Sequence, residues 1–208
     1  TLHPGRSFVE LSVRLSNNNA LANRYLLWTN AGVAATEGTR FVYPMTRTIA
    51  HVSSDIGTWP MAEGADLSWY KNNPKMLGVF GLDLYDNFIA AYDYKADHGV
   101  ICYTNRQIAR GVKTWTWGTG DAAKRQMEHY TDSDGPYLEV QSGRFVWDGN
   151  YEFIEPGKTD GWTEYWYGTG GLANGSANNS GGLTTATRDV AIGFDTVGKD
   201  RRTVRLAV

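Results

Sequence analysis

Few side chains in this sequence could do acid–base chemistry, and most of them fall in segments that read as strands. Glu139 and Gln141 lie two residues apart in Leu138-Glu139-Val140-Gln141. Successive strand side chains point to opposite faces, so these two share a face and could meet one ligand. Asp93, His98 and Glu164 are further titratable groups in aromatic-rich strands or at their ends, with Glu164 between Trp162 and Trp166. A pair of carboxylates such as Asp93 and Glu139 could serve glycoside hydrolysis, one as acid and one as base or nucleophile. The competing role for each is a solvated strand carboxylate or a partner of arginine. The histidines at 3, 51, 98 and 129 have no metal-ligand spacing, and there is no Walker loop, paired CxxC, HExxH or GxSxG. No metal and no cofactor is expected.

Aromatic rings are the other chemical resource. The 208 residues include 8 Trp, 12 Tyr and 24 Gly, a composition that suits pleated, half-buried surfaces joined by many turns. Such rings also stack on the apolar face of a pyranose, whose hydroxyls need planar polar groups nearby. Trp28, Trp69, Tyr70, Trp117 and Trp166 are therefore candidate walls of a sugar cleft, with Arg24, Asn30, Asp93, Glu139 and Gln141 as polar contacts. Core packing is the alternative role for each ring.

The elements that must position these residues are strands. Residues 7–15 (SFVELSVRL) alternate polar and apolar side chains, the period-two pattern of a strand with one buried face. Similar runs occupy 23–33, 40–45, 49–52, 76–82, 87–93, 99–104, 113–118, 137–143, 151–154 and 162–167. Residues 53–74 dissolve into Gly, Pro, Asp, Asn and aromatics, a long loop of the kind that usually has a function. Only residues 121–130 (DAAKRQMEHY) read as helix. Residues 168–184 form a Gly/Asn/Ser-rich linker containing chance sequons at Asn174 and Asn178, and 189–195 with 201–208 form a hairpin. With no alternation of long helices and strands, the expected fold is antiparallel all-β. It is organised as a sandwich over residues 1–171, followed by a linker and hairpin over 172–208.

Hydrophobic residues at 41% and charged ones at 20% fit a globular protein and argue against disorder. A net charge of -2 with scattered basic residues leaves no electrostatic footprint for nucleic acid. No apolar run is long enough to span a bilayer. The chain enters an alternating segment with no leader, so the expectation is either a removed leader or membership of a longer polypeptide. Cys102 reads as a buried thiol and suits either redox compartment. A periplasmic or secreted location is slightly favoured over the cytoplasm.

Three stretches together resemble a known family. They are residues 23–30 (NRYLLWTN), residues 81–100 built around Phe88-Ile89-Ala90-Ala91-Tyr92-Asp93-Tyr94 and Asp97-His98-Gly99, and residues 135–143 (GPYLEVQSG) followed by Glu155-Pro156-Gly157 and Trp162-Thr163-Glu164-Tyr165-Trp166. In order and spacing they are similar to an uncharacterised bacterial family of galactose-mutarotase-like domains, often fused to tetratricopeptide repeats. The resemblance runs to about Gly171. It implies a β-supersandwich, with two large antiparallel sheets face to face, a sugar cleft on the concave face, and in longer members a portion that would precede Thr1.

More thinly, the chain resembles aldose 1-epimerases, whose catalytic glutamate sits in a Leu-Glu-x-Gln strand like that of Glu139. There a carboxylate removes the anomeric hydroxyl proton while a histidine protonates the ring oxygen. The Asn-His motif of the epimerases corresponds to Asn23-Arg24, and an arginine does not cycle as a general acid. That role would pass to His98 or Tyr94. The implied partner is a carbohydrate, bound or also processed. Two alternatives stand beside it. One is a glycoside hydrolase using a carboxylate pair, and the other is a structural or assembly module with a degenerate cleft, joined to a repeat domain.

Overall fold

Residues 1–173, 182–197 and 201–208 are described by the structure, a computed structural model, and they hold eighteen strands and one α-helix. In chain order the first are β1 (Val9–Ser16), β2 (Asn23–Tyr25), β3 (Trp28–Ala34), β4 (Thr39–Val42), β5 (Arg47–Ala50) and β6 (Ile56–Thr58). The short pair β7 (Met61–Ala62) and β8 (Ala65–Asp66) precedes a 3-10 turn at Tyr70–Asn72. Next come β9 (Leu77–Gly81), β10 (Phe88–Asp93), β11 (His98–Thr104), β12 (Gly111–Thr116) and the helix α1 (Asp121–Thr131). The last are β13 (Tyr137–Gly143), β14 (Glu152–Ile154), β15 (Thr159–Gly170), β16 (Leu183–Ala186), β17 (Ala191–Val197) and β18 (Arg201–Ala207). Among the described residues no helix is long and apolar enough to cross a membrane.

Period-two alternation sorts these strands into layers. A five-stranded sheet has the order β1-β15-β11-β10-β4, and a six-stranded sheet has the order β3-β13-β12-β9-β5-β6. They pack face to face through Phe41, Ile89, Ala91 and Cys102 on one side and Val79, Val112, Leu138 and Val140 on the other. The alternate residues of the five-stranded sheet, Phe88, Ala90, Tyr92 and Ile101, point away from this core. There they meet Leu183, Ala186 and Ala191 of a small sheet, β16-β17-β18. Every residue of β10 is consequently buried, which is why 87–93 reads as a near-continuous apolar run. Gly182 admits the small sheet at this seam. Its φ is +107°, and a Cβ there would stand 2.2 Å from the Tyr94 ring.

Several elements differ from the pattern in the sequence. The stretch 23–33 is two strands, because the chain changes partner at Leu26-Leu27: β2 pairs with β14, and β3 with β13. Residues 53–74 contain β6, β7, β8 and the 3-10 turn rather than an unbroken loop. The strand expected over 162–167 runs on to Gly170, since its partner β11 extends to His98 and supplies backbone bonds that far. The C-terminal hairpin is present as β17 and β18, and β16 adds a third strand. The tip of that hairpin, both sequons and residues 174–181 of the expected linker lie outside the described residues.

Glu164 shows how the two large sheets are tied. It is wholly buried between them, and its carboxylate accepts hydrogen bonds from Trp162 Nε1 (2.9 Å), Trp166 Nε1 (2.9 Å) and Thr29 Oγ1 (2.8 Å). The last bond crosses from β15 to β3. A buried polar group of this kind is tolerated because hydrogen-bond donors surround it. Glu164→Ala, which strips the buried Trp162 and the half-buried Trp166 and Thr29 of their acceptor, should cost about 2–4 kcal/mol. Glu164→Gln, which keeps an acceptor oxygen, should cost less. Urea unfolding midpoints measure both, and an alanine variant as stable as the parent would contradict this role.

Candidate functional site

Among the described residues no other sheet packs against the second face of the six-stranded sheet. Strand pairing sets Gly32 beside Glu139, Glu139 beside Trp115, and Trp115 beside Gly78. The neighbouring row is Asn30, Gln141, Lys113, Phe80 and Ile49. Residues paired directly across antiparallel strands share a face, so these two rows lie side by side on one surface. Two glycines let indoles down onto it. A Cβ at Gly78 would stand 2.6 Å from the Trp115 ring, and one at Gly143 would stand 2.5 Å from the Trp28 ring. Each ring therefore lies over the glycine backbone, where any other residue would lift it off.

Glu139 is held in this surface by three donors. Asn30 Nδ2 donates to Oε2 at 2.6 Å, Gln141 Nε2 donates to the same oxygen at 2.8 Å, and Tyr137 donates to Oε1 at 3.4 Å. Trp117 Nε1 in turn donates to the Tyr137 hydroxyl at 3.0 Å, which leaves the phenol proton directed at Glu139. Burial raises the pKa of Tyr137, and although the Trp117 bond opposes this, the Glu139 charge adds to it, so the phenol remains a donor.

The helix α1 builds one wall. Tyr130 stacks on Trp117 with ring centroids 5.3 Å apart and planes within 8°. Tyr130, β3 and β13 contribute to a cleft of about 580 Å³, lined by Asn30, Gly32, Tyr130, Asp134, Pro136, Tyr137 and Glu139. On the other side of Trp115, His51 Nε2 meets Asp148 Oδ2 at 3.0 Å, and its ring edge rests on Trp115 and Phe80 at 5.2 and 5.6 Å between centroids. His51 Nδ1 is buried and without a partner among the described residues, and Nε2 is the ring nitrogen directed at Asp148.

Of the residues expected at a site, Trp28, Asn30, Trp117, Glu139 and Gln141 come together on this face. Arg24 stands at its margin, with its guanidinium 4.9 Å over the Tyr151 ring in a smaller cleft shared with Asp148. Asp93, His98, Trp69, Tyr70 and Trp166 are not brought to it. Asp93 ends β10 in the other large sheet, and the exposed His98 is its cross-strand partner, with Nδ1 3.2 Å from the Ala96 carbonyl. Trp69 holds the cations of Arg40 and Lys71 at 5.4 and 5.0 Å from its ring. Tyr70 is buried and donates to the Gly118 carbonyl at 3.0 Å. Trp166 packs against the inter-sheet core, with its indole committed to Glu164.

Phe80, His51, Lys113, Trp115, Tyr130 and Tyr137 join the face without having been singled out by the sequence. For Lys113 and Trp115 a signal exists, because they alternate with Trp117 along one strand. By the logic that unites Glu139 with Gln141, all three share a face. His51 and Tyr130 arrive through tertiary contacts that no local pattern encodes.

Residues 2–169 match the family described as "Domain of unknown function (DUF5107)". The chain belongs to this family. Among solved structures, a TPR-domain containing protein from Parabacteroides distasonis is similar at 22% identity and a TM-score of 0.72, over 80% of this chain and 28% of that one. A protein named as a candidate aldose 1-epimerase from Escherichia coli K12 is similar at 7% identity and a TM-score of 0.58, over 78% of this chain and 56% of that one. A galactose mutarotase-like protein from Lactobacillus casei is similar at 7% identity and a TM-score of 0.52, over 76% and 58%. The fold is the galactose-mutarotase-like β-sandwich, and the chain spans little more than half the length of the last two proteins and less of the first.

The surroundings of Asp93 explain its place in the fold. Burial would raise its carboxyl, but hydrogen bonds from the Thr36 hydroxyl, the Ala96 amide, the Thr39 hydroxyl and the Lys95 amide outweigh that and hold it below the usual range. A carboxyl depressed in the fold adds stability above its unfolded pKa of about 3.9, and that stability is lost as pH falls through the folded value. Asp93→Asn should therefore lower stability at neutral pH and flatten the decline below about pH 4. Asp83 and Asp160, also held low, would retain their share of that decline. Urea unfolding at stepped pH checks this, and an unchanged acid limb would count against it.

Proposed function

We propose that the open face of the six-stranded sheet binds a saccharide, centred on Glu139. The observation that carries this reading is the conjunction, on one surface, of a carboxylate fixed by three donors and indoles seated over glycines. A pyranose stacked on Trp115 or Trp117 would bring its hydroxyls to Glu139, Asn30 and Gln141, groups that accept and donate within a few ångströms of one another. The adjoining cleft, lined by Asn30, Tyr137 and Glu139 rather than by the indoles, has a volume of about 580 Å³, in the range typical of small-ligand sites. Neighbours named for aldose 1-epimerase and galactose mutarotase add support at the level of fold analogy. A neighbour named for its TPR domain accords with display of this face beside a repeat domain in a larger assembly.

Binding, rather than turnover, is what this geometry favours. Proton transfer on a sugar needs an acid opposite the base. His98 belongs to the other large sheet, Arg24 is a poor proton donor, and His51 is engaged by Asp148 with the Trp115 strand between it and Glu139. A glycosidase built on Asp93 and Glu139 is not supported, because the two lie on different sheets and Asp93 is committed to its own turn.

Calorimetric titration against a panel of oligosaccharides tests the reading. Trp115→Ala and Trp117→Ala should each weaken binding by about tenfold, the order of a lost stacking contact. Trp69→Ala, away from the face, should bind as the parent does. Glu139→Gln keeps shape but not charge and should cost on the order of 1 kcal/mol. If no saccharide binds the folded protein, the proposal fails. If Glu139→Gln retains binding but lowers a measured turnover by about 10²-fold, the face is catalytic.

A further inference from the structure

Lys113 stands on the same face, in the row of Phe80 and Gln141 and next to the row of Trp115. Its Nζ lies 4.8 Å from the Trp115 ring centroid and 5.2 Å from that of Phe80, in a half-buried position. Among the described residues this ammonium has no carboxylate at ion-pair distance and no hydrogen-bond acceptor. The two nearby carboxylates act on it only at longer range and are committed elsewhere, Glu139 to Asn30, Gln141 and Tyr137, and Asp148 to His51. Burial pulls the Lys113 pKa down, and Asp148 and Glu139 only partly offset this. An ammonium short of acceptors in an aromatic setting costs free energy that a bound anion would recover.

We infer that the saccharide taken by this face carries a carboxylate, as a uronic acid does, and that Lys113 is the residue that selects it. This inference rests on the saccharide-binding reading above. Charge balance favours a monoanion, because a phosphate dianion would bring two negative charges to one lysine already flanked by Glu139 and Asp148. Reach favours a carboxylate. In a uronic acid it is bonded directly to the pyranose, so a ring stacked on Trp115 keeps its carboxylate close to an ammonium that is itself seated over Trp115. Two ammonium protons would then bond the carboxylate while the cation keeps its contact with the rings.

The test is calorimetry of the whole chain with galacturonate and glucuronate oligosaccharides, their neutral galactose and glucose counterparts, the uronate methyl esters and sulfated neutral sugars. The parent protein should favour the uronates over the neutral counterparts by about tenfold or more, the order of one charge-assisted bond. The esters, which lose only the charge, should bind like the neutral sugars. In K113M the uronate-to-neutral affinity ratio should fall to about one, and in K113R part of the preference should remain. If K113M does not fold, the ester comparison on the parent protein still decides. Equal binding of uronate and neutral sugar, preference for the sulfated sugars alone, or an unchanged ratio in K113M would overturn the role of Lys113 while leaving saccharide binding intact. Binding of none of these sugars would overturn both.

Discussion

A sheet can bind a ligand across its face only where that face is not already spent on packing, and this constraint organises the molecule. The five-stranded sheet is covered on both sides, by the six-stranded sheet through Ile89, Ala91 and Cys102, and by the small C-terminal sheet against Phe88, Ala90 and Tyr92. Its strand β10 is thereby buried along its whole length. Among the described residues the six-stranded sheet packs against another sheet on one face only, so Leu138 and Val140 point into the core while Tyr137, Glu139 and Gln141, alternating with them, point to the other face. One register decides both sets. A slip of one residue in β13 would drive Glu139 into the core and expose Leu138, so the packing that stabilises the sandwich also aims the site.

On the open face, polar and aromatic groups are used in complementary ways. Glu139 is immobilised by neutral donors, which fixes its position without cancelling its charge. The indoles of Trp28 and Trp115 are positioned by the glycines beneath them rather than by hydrogen bonds. Both devices limit the ordering that a ligand would otherwise have to impose, which is the usual route by which a modest surface gains affinity. The core carboxylate Glu164 uses the same kind of neutral donors for the opposite purpose. Enclosed between two indoles and Thr29, it links the sheets and meets no ligand.

Much of this organisation was legible in the sequence, and the failures have identifiable causes. Alternation placed Glu139 and Gln141 on one face because a period of two is a property of any strand, whatever its neighbours. It equally joins Lys113, Trp115 and Trp117. What alternation does not reveal is which of two faces is open. Trp166 and Trp117 look alike in sequence, yet one bonds Glu164 in the core and the other stacks on Tyr130 on the opposite face of the six-stranded sheet. Asp93 and Glu139 both read as strand carboxylates near aromatics, but the assignment of β10 and β13 to different sheets depends on long-range pairing with β4 and β3. His51 and Asp148 are distant in the chain and meet only in the folded molecule. The split at Leu26-Leu27 likewise follows from a change of partner, which no local propensity records.

If saccharide meets this face and no other, the tryptophan indole N–H resonances report it directly. Eight tryptophans give eight probes spread over core, cleft and the opposite sheet. During titration with a bound oligosaccharide the account predicts that the resonances of Trp28, Trp115 and Trp117 shift together in a saturable way, while those of Trp162 and Trp166, bonded to Glu164, stay in place. Shifts confined to Trp69, or saturable binding that moves none of the three, would contradict it.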